Sequence, residues 1–399
     1  MPSFSFNRRV SLKIATAMAI PKALLLADAA NASSPEWIQG IDDSEAAVVN
    51  DLVRTFMQQY SVPGLSLAMT YRGKLKLLVC AGYADTTSQT AVAPDHRFRI
   101  ASVSKPITSI TTMLMAQSGR LQLDQPVFTT LLPEFSSEIS RLGSSNQRRL
   151  QSMTLRHLLE HTAGGWGNRT ADPMFTASAL GMSHHDLIRW TLNNRALAHD
   201  PGQHYAYSNF GYCLVGRVLE KRMNMSYENV VRKYVLEPSG LQDQTLKIGG
   251  NTFAERQTNE VTYYGQSEEA YHRIMDVKRM DAHGGWVGSP TDLVRLLTGI
   301  DNQAKPSGLL QPKWIKIMTT ASHANPGYAK GWSVNKQGSW WHTGSFNGGS
   351  AILARINDGH SWAMTMNTRS KKKGYSSALD RLPWDIKRSI KTWGSHDLF

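Results

Sequence analysis

Ser102 and Lys105 stand three residues apart in Phe98-Arg-Ile-Ala-Ser-Val-Ser-Lys-Pro-Ile. A serine hydroxyl is a weak nucleophile until a neighbouring base takes its proton. On a helix, residues three apart share a face with Cβ atoms ~5–6 Å apart, within reach for a lysine amine. Pro106 and the apolar positions Ile107, Ile110 and Leu114 recur at helical spacing, so a helix is predicted to start near Ser102. Its first turn would bring backbone N–H groups and positive dipole to the hydroxyl. Taken alone, the pair also fits a helix cap followed by a solvated lysine.

Two later segments add to this pair. Pro201-Gly-Gln-His-Tyr-Ala-Tyr207-Ser208-Asn209 is turn-rich and places Tyr207 and Asn209 two apart, just before a helical pattern at Leu214, Val215, Val218 and Leu219. Trp340-Trp-His342-Thr343-Gly344-Ser345 reads as a short strand ending in a small-residue turn. In this order the three segments resemble the penicillin-recognising serine hydrolases, and within them the class C β-lactamase branch with its DD-peptidases and family VIII esterases. The resemblance covers roughly residues 45–395 and extends to Val62-Pro-Gly-Leu-Ser-Leu-Ala, Gly119-Arg-Leu-Gln-Leu-Asp-Gln-Pro-Val, Leu158-Leu-Glu-His-Thr-Ala-Gly-Gly and Gly284-Gly-Trp-Val-Gly-Ser-Pro-Thr-Asp-Leu.

The resemblance implies an acyl-enzyme on Ser102, with proton traffic shared by Lys105 and Tyr207. Which of the two takes the serine proton is open at this stage. Their ordinary pKa values near ~10 are too high for base work at neutral pH. Desolvating an ammonium beside a phenol is expected to lower the lysine and favour phenolate. Asn209 is expected to position Lys105 and a substrate carbonyl. The backbone N–H groups of Ser102 and Ser345 would form the oxyanion hole, with Gly344 allowing close approach. The implied partner is a small-molecule ester, amide or lactam, with no cofactor and no metal. Esterase or amidase action is the favoured reading. The alternatives are a β-lactamase, a D-Ala-D-Ala carboxypeptidase, or a slowly acylating sensor that does not turn over.

The third motif departs from the family's usual pattern, in which a lysine precedes Thr-Gly and faces a substrate carboxylate. Here that position is His342, with an ordinary pKa of ~6.5, expected to be neutral at pH 7–8 and charged near pH 5.5. Another pattern competes for attention. His157-Leu-Leu-Glu160-His161 fits a His-x-x-Glu-His zinc signature. Against it, Thr162-Ala-Gly-Gly ends the helix at once and no third ligand is apparent, so His161 is read as shaping the cleft. Trp166, Trp286 and Trp332 lie beside glycine-rich turns and suit either a pocket wall or the core.

The elements that must position these groups follow from periodicity. A helix is predicted over 44–60 and a hairpin of strands at Leu65–Tyr71 and Leu75–Gly82 around Arg72-Gly73-Lys74. Amphipathic helical segments with little strand character fill about 120–245. A helix (Thr291–Gly299), strands (Gly331–Val334, Ser339–His342, Ser350–Ile356, Ser361–Asn367) and a last helix (Ser376–Thr392) follow. Strands at both chain ends with helices between imply an α+β fold. The expected form is one domain over 33–399: a sheet lobe of about 44–120 and 285–399, flanked by terminal helices, plus an all-helical lobe. The resemblance implies a two-lobed β-lactamase/transpeptidase-like architecture with its site in the cleft.

The 399-residue chain carries a formal charge of +13, with basic residues scattered apart from Arg369-Ser-Lys-Lys-Lys373, read as a solvated turn. No nucleic-acid motif is present. Cys80 and Cys213 lie in apolar surroundings and read as buried thiols, although pairing is open. Residues 1–32 read as an export signal of a bacterial periplasmic or secreted protein. Arg8-Arg9 resembles a twin-arginine address, Ile14–Leu26 is too short to span a membrane, and Ala30-Asn31-Ala32 is a small-x-small cleavage pattern. Cleavage before Ser33 would leave no stable membrane insertion. Replacing Arg8 and Arg9 together by Lys is expected to trap the precursor in the cytoplasm; fractionation showing normal export would refute the assignment.

Overall fold

The computed structural model describes residues 36–170, 172–241, 245–266, 276–301 and 308–399. The predicted export signal lies outside these residues. In chain order, the site-positioning elements begin with β1 (Glu36–Gln39), α1 (Asp43–Tyr60), β2 (Gly64–Tyr71), β3 (Lys74–Asp85), α2 (Ser104–Gln117), α3 (Leu155–Leu159) and α4 (Asn209–Met223). They continue with α5 (Asp281–Gly284), α6 (Pro290–Ile300), β4 (Ser333–Val334), β5 (Trp340–Phe346), β6 (Gly349–Arg355), β7 (His360–Met366) and α7 (Tyr375–Ser389).

The main sheet runs β1-β3-β2-β7-β6-β5-β4, every pair antiparallel. Arg72 and Gly73, both left-handed at φ 49° and 76°, make the tight turn that twists β2 onto β3. At the centre β2 meets β7, pairing Leu65 with Met366 and Tyr71 with His360, so the two chain ends close one sheet.

Period-two alternation sorts the two faces. Leu65, Leu67, Met69, Ile352, Ala354, Trp362, Met364 and Met366 pack with Val49, Val53 and Phe56 of α1 and Leu379, Leu382 and Ile386 of α7. The opposite face carries small residues, Ala68, Ala351 and Ala363, beneath α6. Alanine there lets the helix approach closely, and Leu293, Val294, Leu296 and Leu297 fill the space. The same apolar cluster continues through Ile107, Ile110 and Met113 of α2 into the helical region.

Among the described residues no strand lies between Phe98–Arg99 and Lys247–Ile248, as the helical pattern implied. These two short strands flank Trp286–Gly288 in a three-stranded ladder, which the sequence pattern did not reveal. A two-residue strand has no period to read. Trp286 and Trp332 are wholly buried, and Trp166 is nearly so, its indole donating to the Arg195 carbonyl; all three belong to the core. Cys80 and Cys213 are buried and free. Lys371, Lys372 and Lys373 are exposed, as read for that turn.

Candidate active site

Ser102 lies in a single 3-10 turn, Ala101–Val103, that runs straight into α2. The residue before it, Ala101, is left-handed at φ 46°. A Cβ in that region costs about 1–2 kcal/mol, so neighbouring contacts must hold it. They are visible. Phe98 and Arg99 pair with Gly288 and Val287, and the Ile100 N–H donates to the Trp286 carbonyl at 3.0 Å. The strained turn is thus fixed from behind.

Lys105 is wholly buried. Its Nζ lies 3.0 Å from Ser102 Oγ, 2.7 Å from Asn209 Oδ1 and 3.0 Å from the His283 carbonyl. Desolvation drives its pKa well below the ordinary lysine value, opposed by the negative charge of Asp172. Two of the three neighbours, Asn209 Oδ1 and the His283 carbonyl, can only accept. A neutral amine gives its two hydrogens to them and turns its lone pair to the Ser102 hydroxyl.

The Tyr207 ring lies 4.7 Å from Lys105 Nζ by its centroid, over the same amine. Its loop is held at three points. The Tyr207 carbonyl accepts from the Asn168 N–H, Ser208 N–H donates to His161 Nδ1, and Ala206 N–H donates to the His161 carbonyl. Burial pushes the phenol up from its ordinary value, with the Ser102 side chain pulling the other way. The phenolate expected from the sequence is therefore not favoured, because the loss of water outweighs the Ser102 hydrogen bond.

Asn209 is not the helix cap. Ser208 caps α4 by accepting from the Gly211 N–H, which frees Asn209, the first helical residue, to turn inward. Its Nδ2 donates to Asn168 Oδ1 at 2.8 Å. Beneath it lies Asp172, which the sequence reading missed: Oδ2 accepts from the Asn209 N–H at 2.6 Å and Oδ1 from those of Phe210 and Met174. Burial raises this carboxyl to about 6, against those backbone bonds and Lys105. An aspartate held at a helix N-terminus by three amides carries no sequence periodicity; only its place before Pro173 hinted at a turn.

The third motif corrects two expectations. The strand does not end at His342 but continues through Thr343-Gly344-Ser345 to Phe346, paired with β6 along its whole length. Alternation then turns Trp340, His342, Gly344 and Phe346 inward and leaves Thr343 and Ser345 exposed. His342 Nδ1 donates to the Thr343 carbonyl at 2.7 Å, and Nε2 lies 3.1 Å from the Tyr328 hydroxyl. Burial first, and Lys105 second, push its pKa down to about 3. It stays neutral at pH 5.5 as well as at pH 8, so the expected charging near pH 5.5 is overturned. Gly344 fits because a Cβ there would stand 2.0 Å from the Ile100 carbonyl oxygen. Here the strand lies against the Ile100 backbone and the Ala101 methyl of the nucleophile turn.

The zinc-like pattern is dispersed. Helix α3 stops at Leu159, His161 is left-handed at φ 58°, His157 Nδ1 accepts from the Thr154 N–H in a capping box, and Glu160 pairs with the buried Lys330 at 2.6 Å. Among the described residues no group of three metal-ligating side chains converges.

Two outcomes follow from this geometry. Gly344→Ala must push the strand or the Ser102 turn by the order of an ångström, and kcat/KM should fall by about 100-fold with near-normal binding; wild-type turnover would refute the packing argument. Protonating Asp172 weakens the hold on Asn209, so activity should fall as pH drops through about 6. In Asp172→Asn, which has no such titration, a pH–rate profile should lose that inflection while its plateau is lower.

Comparison with known proteins agrees with the fold. The sequence model of the family described as Beta-lactamase matches residues 49–382. Among curated proteins, Protein flp of Staphylococcus aureus (strain MW2) is 22% identical over 310 residues, 76% of this chain and 59% of that protein. The putative fimbrial assembly protein FimD of Dichelobacter nodosus (serogroup D) is 28% identical over 216 residues, 53% of this chain and 50% of that protein. The chain thus spans well under two thirds of the length of these relatives in its matches. In fold it is similar to D-amino acid amidase from Ochrobactrum anthropi SV3 (TM-score 0.68, 21% identity, 87% of this chain and 99% of that one). It is likewise similar to D-alanine carboxypeptidase AmpC from Burkholderia cenocepacia (TM-score 0.66, 18% identity, 87% and 99%).

Proposed function

The chain belongs to the β-lactamase family, and on that premise we propose that it is a serine hydrolase that acylates Ser102 and acts on uncharged esters or small amides. The observation that carries this reading is the Lys105 amine, buried, lowered in pKa and held by two acceptors with Ser102 Oγ at 3.0 Å.

In the proposed sequence Ser102 Oγ forms a bond to the substrate carbonyl carbon while its proton passes to Lys105 Nζ. The carbonyl π electrons move to oxygen, which the backbone N–H groups of Ser102 and Ser345 stabilise. Collapse of the tetrahedral species breaks the bond to the leaving group, which takes a proton from the Tyr207 phenol; Lys105 then restores that proton. Water attacks the acyl-enzyme by the reverse relay and releases the acid. Lys105 is assigned as the base because burial lowers its pKa well below the ordinary lysine value, and Tyr207 as the donor because burial raises the phenol.

The preference for uncharged substrates rests on His342. A charge-assisted hydrogen bond is roughly twice as strong as a neutral one, and a buried neutral imidazole with both nitrogens engaged offers a substrate carboxylate none. Export to the periplasm or beyond remains part of the proposal, resting on residues 1–32.

A hydrolysis panel tests the reading. Short-chain nitrophenyl esters should turn over with higher kcat/KM than nitrocefin or a D-Ala-D-Ala peptide, and a fluorophosphonate should label Ser102 in the wild type and nothing in Ser102→Ala. Label on another serine, or nitrocefin as the best substrate, would overturn it.

A further inference from the structure

A buried chain of hydrogen bonds runs beneath the site, from the Tyr207 loop to the third-motif strand. Ser208 N–H meets His161 Nδ1 at 3.1 Å, and His161 Nε2 meets the Tyr328 hydroxyl at 3.2 Å. The Tyr328 hydroxyl meets His342 Nε2 at 3.1 Å, and His342 Nδ1 meets the Thr343 carbonyl at 2.7 Å. All three side chains are at most 5% exposed.

Both ends of this chain fix its direction. A backbone N–H only donates, so His161 Nδ1 is unprotonated and its one hydrogen sits on Nε2. A carbonyl only accepts, so the hydrogen of His342 sits on Nδ1 and its Nε2 is bare. Tyr328 has a single hydrogen; the Tyr212 oxygen is also within its reach, but only donation to the bare His342 Nε2 satisfies that nitrogen, and the Tyr328 oxygen then receives the hydrogen of His161. Every member then donates once and accepts once. A proton added to His342 would face the Tyr328 hydrogen and leave one donor without an acceptor.

We propose that Tyr328 is a positioning residue: its hydroxyl closes this one-way chain and thereby holds the Tyr207 loop and the Thr343–Ser345 strand at a fixed spacing across the site. The geometry extends to the rings. His161 lies 4.3 Å from Tyr207 and 4.9 Å from Tyr328 by centroids, so the phenol rests on the chain's first imidazole. The titratable groups facing the chain are Lys105 from α2, Tyr205 and Tyr207 from the loop, Tyr212 from α4, and Glu160, which is paired with Lys330. Burial lowers the pKa of both imidazoles, in keeping with their neutral, one-proton roles in the chain. The inference rests on the proposed reaction centre, but its first test does not depend on activity.

Nitrogen-15 NMR of the histidine-labelled full chain reads each tautomer directly. In the wild type His342 should show Nδ1–H and His161 Nε2–H, neither titrating between pH 5 and pH 8. Either ring titrating near ~6.5, or Nε2–H on His342, would overturn the proposal even if no variant folds. In Tyr328→Phe the His161 and His342 signals should lose their fixed tautomers, and kcat for a nitrophenyl ester should fall about 10- to 100-fold with KM little changed. Wild-type kcat in that variant would equally overturn it. Loss of turnover with all substrates but intact tautomers in the wild type would instead count against the proposed reaction.

Discussion

Taking the Lys105 amine out of water is the constraint on which the rest of the site depends. A buried ammonium is costly, and the group sheds its proton unless its surroundings compensate. Here they compensate only partly. Asn209 Oδ1 and the His283 carbonyl satisfy two hydrogens, and Asp172 adds a negative charge that is itself buried. That balance requires three segments distant in sequence to meet at one nitrogen. Helix α2 supplies the lysine, the capped start of α4 supplies Asn209, and α5, packed against both, supplies the carbonyl.

The sheet supplies the other half of the site. Because β2 and β7 pair at its centre, the strands from the C-terminal half are carried to the start of α2, and β5 meets the Ile100 carbonyl through Gly344. The left-handed Ala101 is tolerable because a short ladder and the Ile100–Trp286 bond leave it no alternative. Reactive geometry here is stored in backbone contacts, which is why side-chain patterns disclose only part of it.

Much was legible in the sequence, for identifiable reasons. Helices α1, α6 and α7 fall within a few residues of the predicted spans because each buries one face of a regular period, and strands β2, β3, β6 and β7, buried on both faces, do so as apolar-rich runs bounded by turn residues. Ser102, Lys105, Tyr207 and Asn209 converge as the three motifs implied. The strand at His342 was read as ending too early, although the alternation of Trp340, His342, Gly344 and Phe346 against Thr343 and Ser345 carried the signal. Asp172 and Tyr328 sit in irregular segments, and His283 contributes a carbonyl that every residue type possesses. No sequence pattern marks such roles. The zinc-like spacing at His157 and His161 failed because His161 leaves the helix at a positive φ, and spacing has meaning only on a continuous helix.

The central claim is that Lys105 works as a neutral amine, and its own titration decides that most directly. With lysine labelled by carbon-13 at Cε, the Lys105 resonance followed against pH reports its charge in the resting protein. The account predicts the shift of an unprotonated amine at pH 7–8, with a midpoint well below the ordinary ~10.4. A Lys105 signal that stays that of an ammonium until pH ~10 would contradict it and return the role of base to Tyr207.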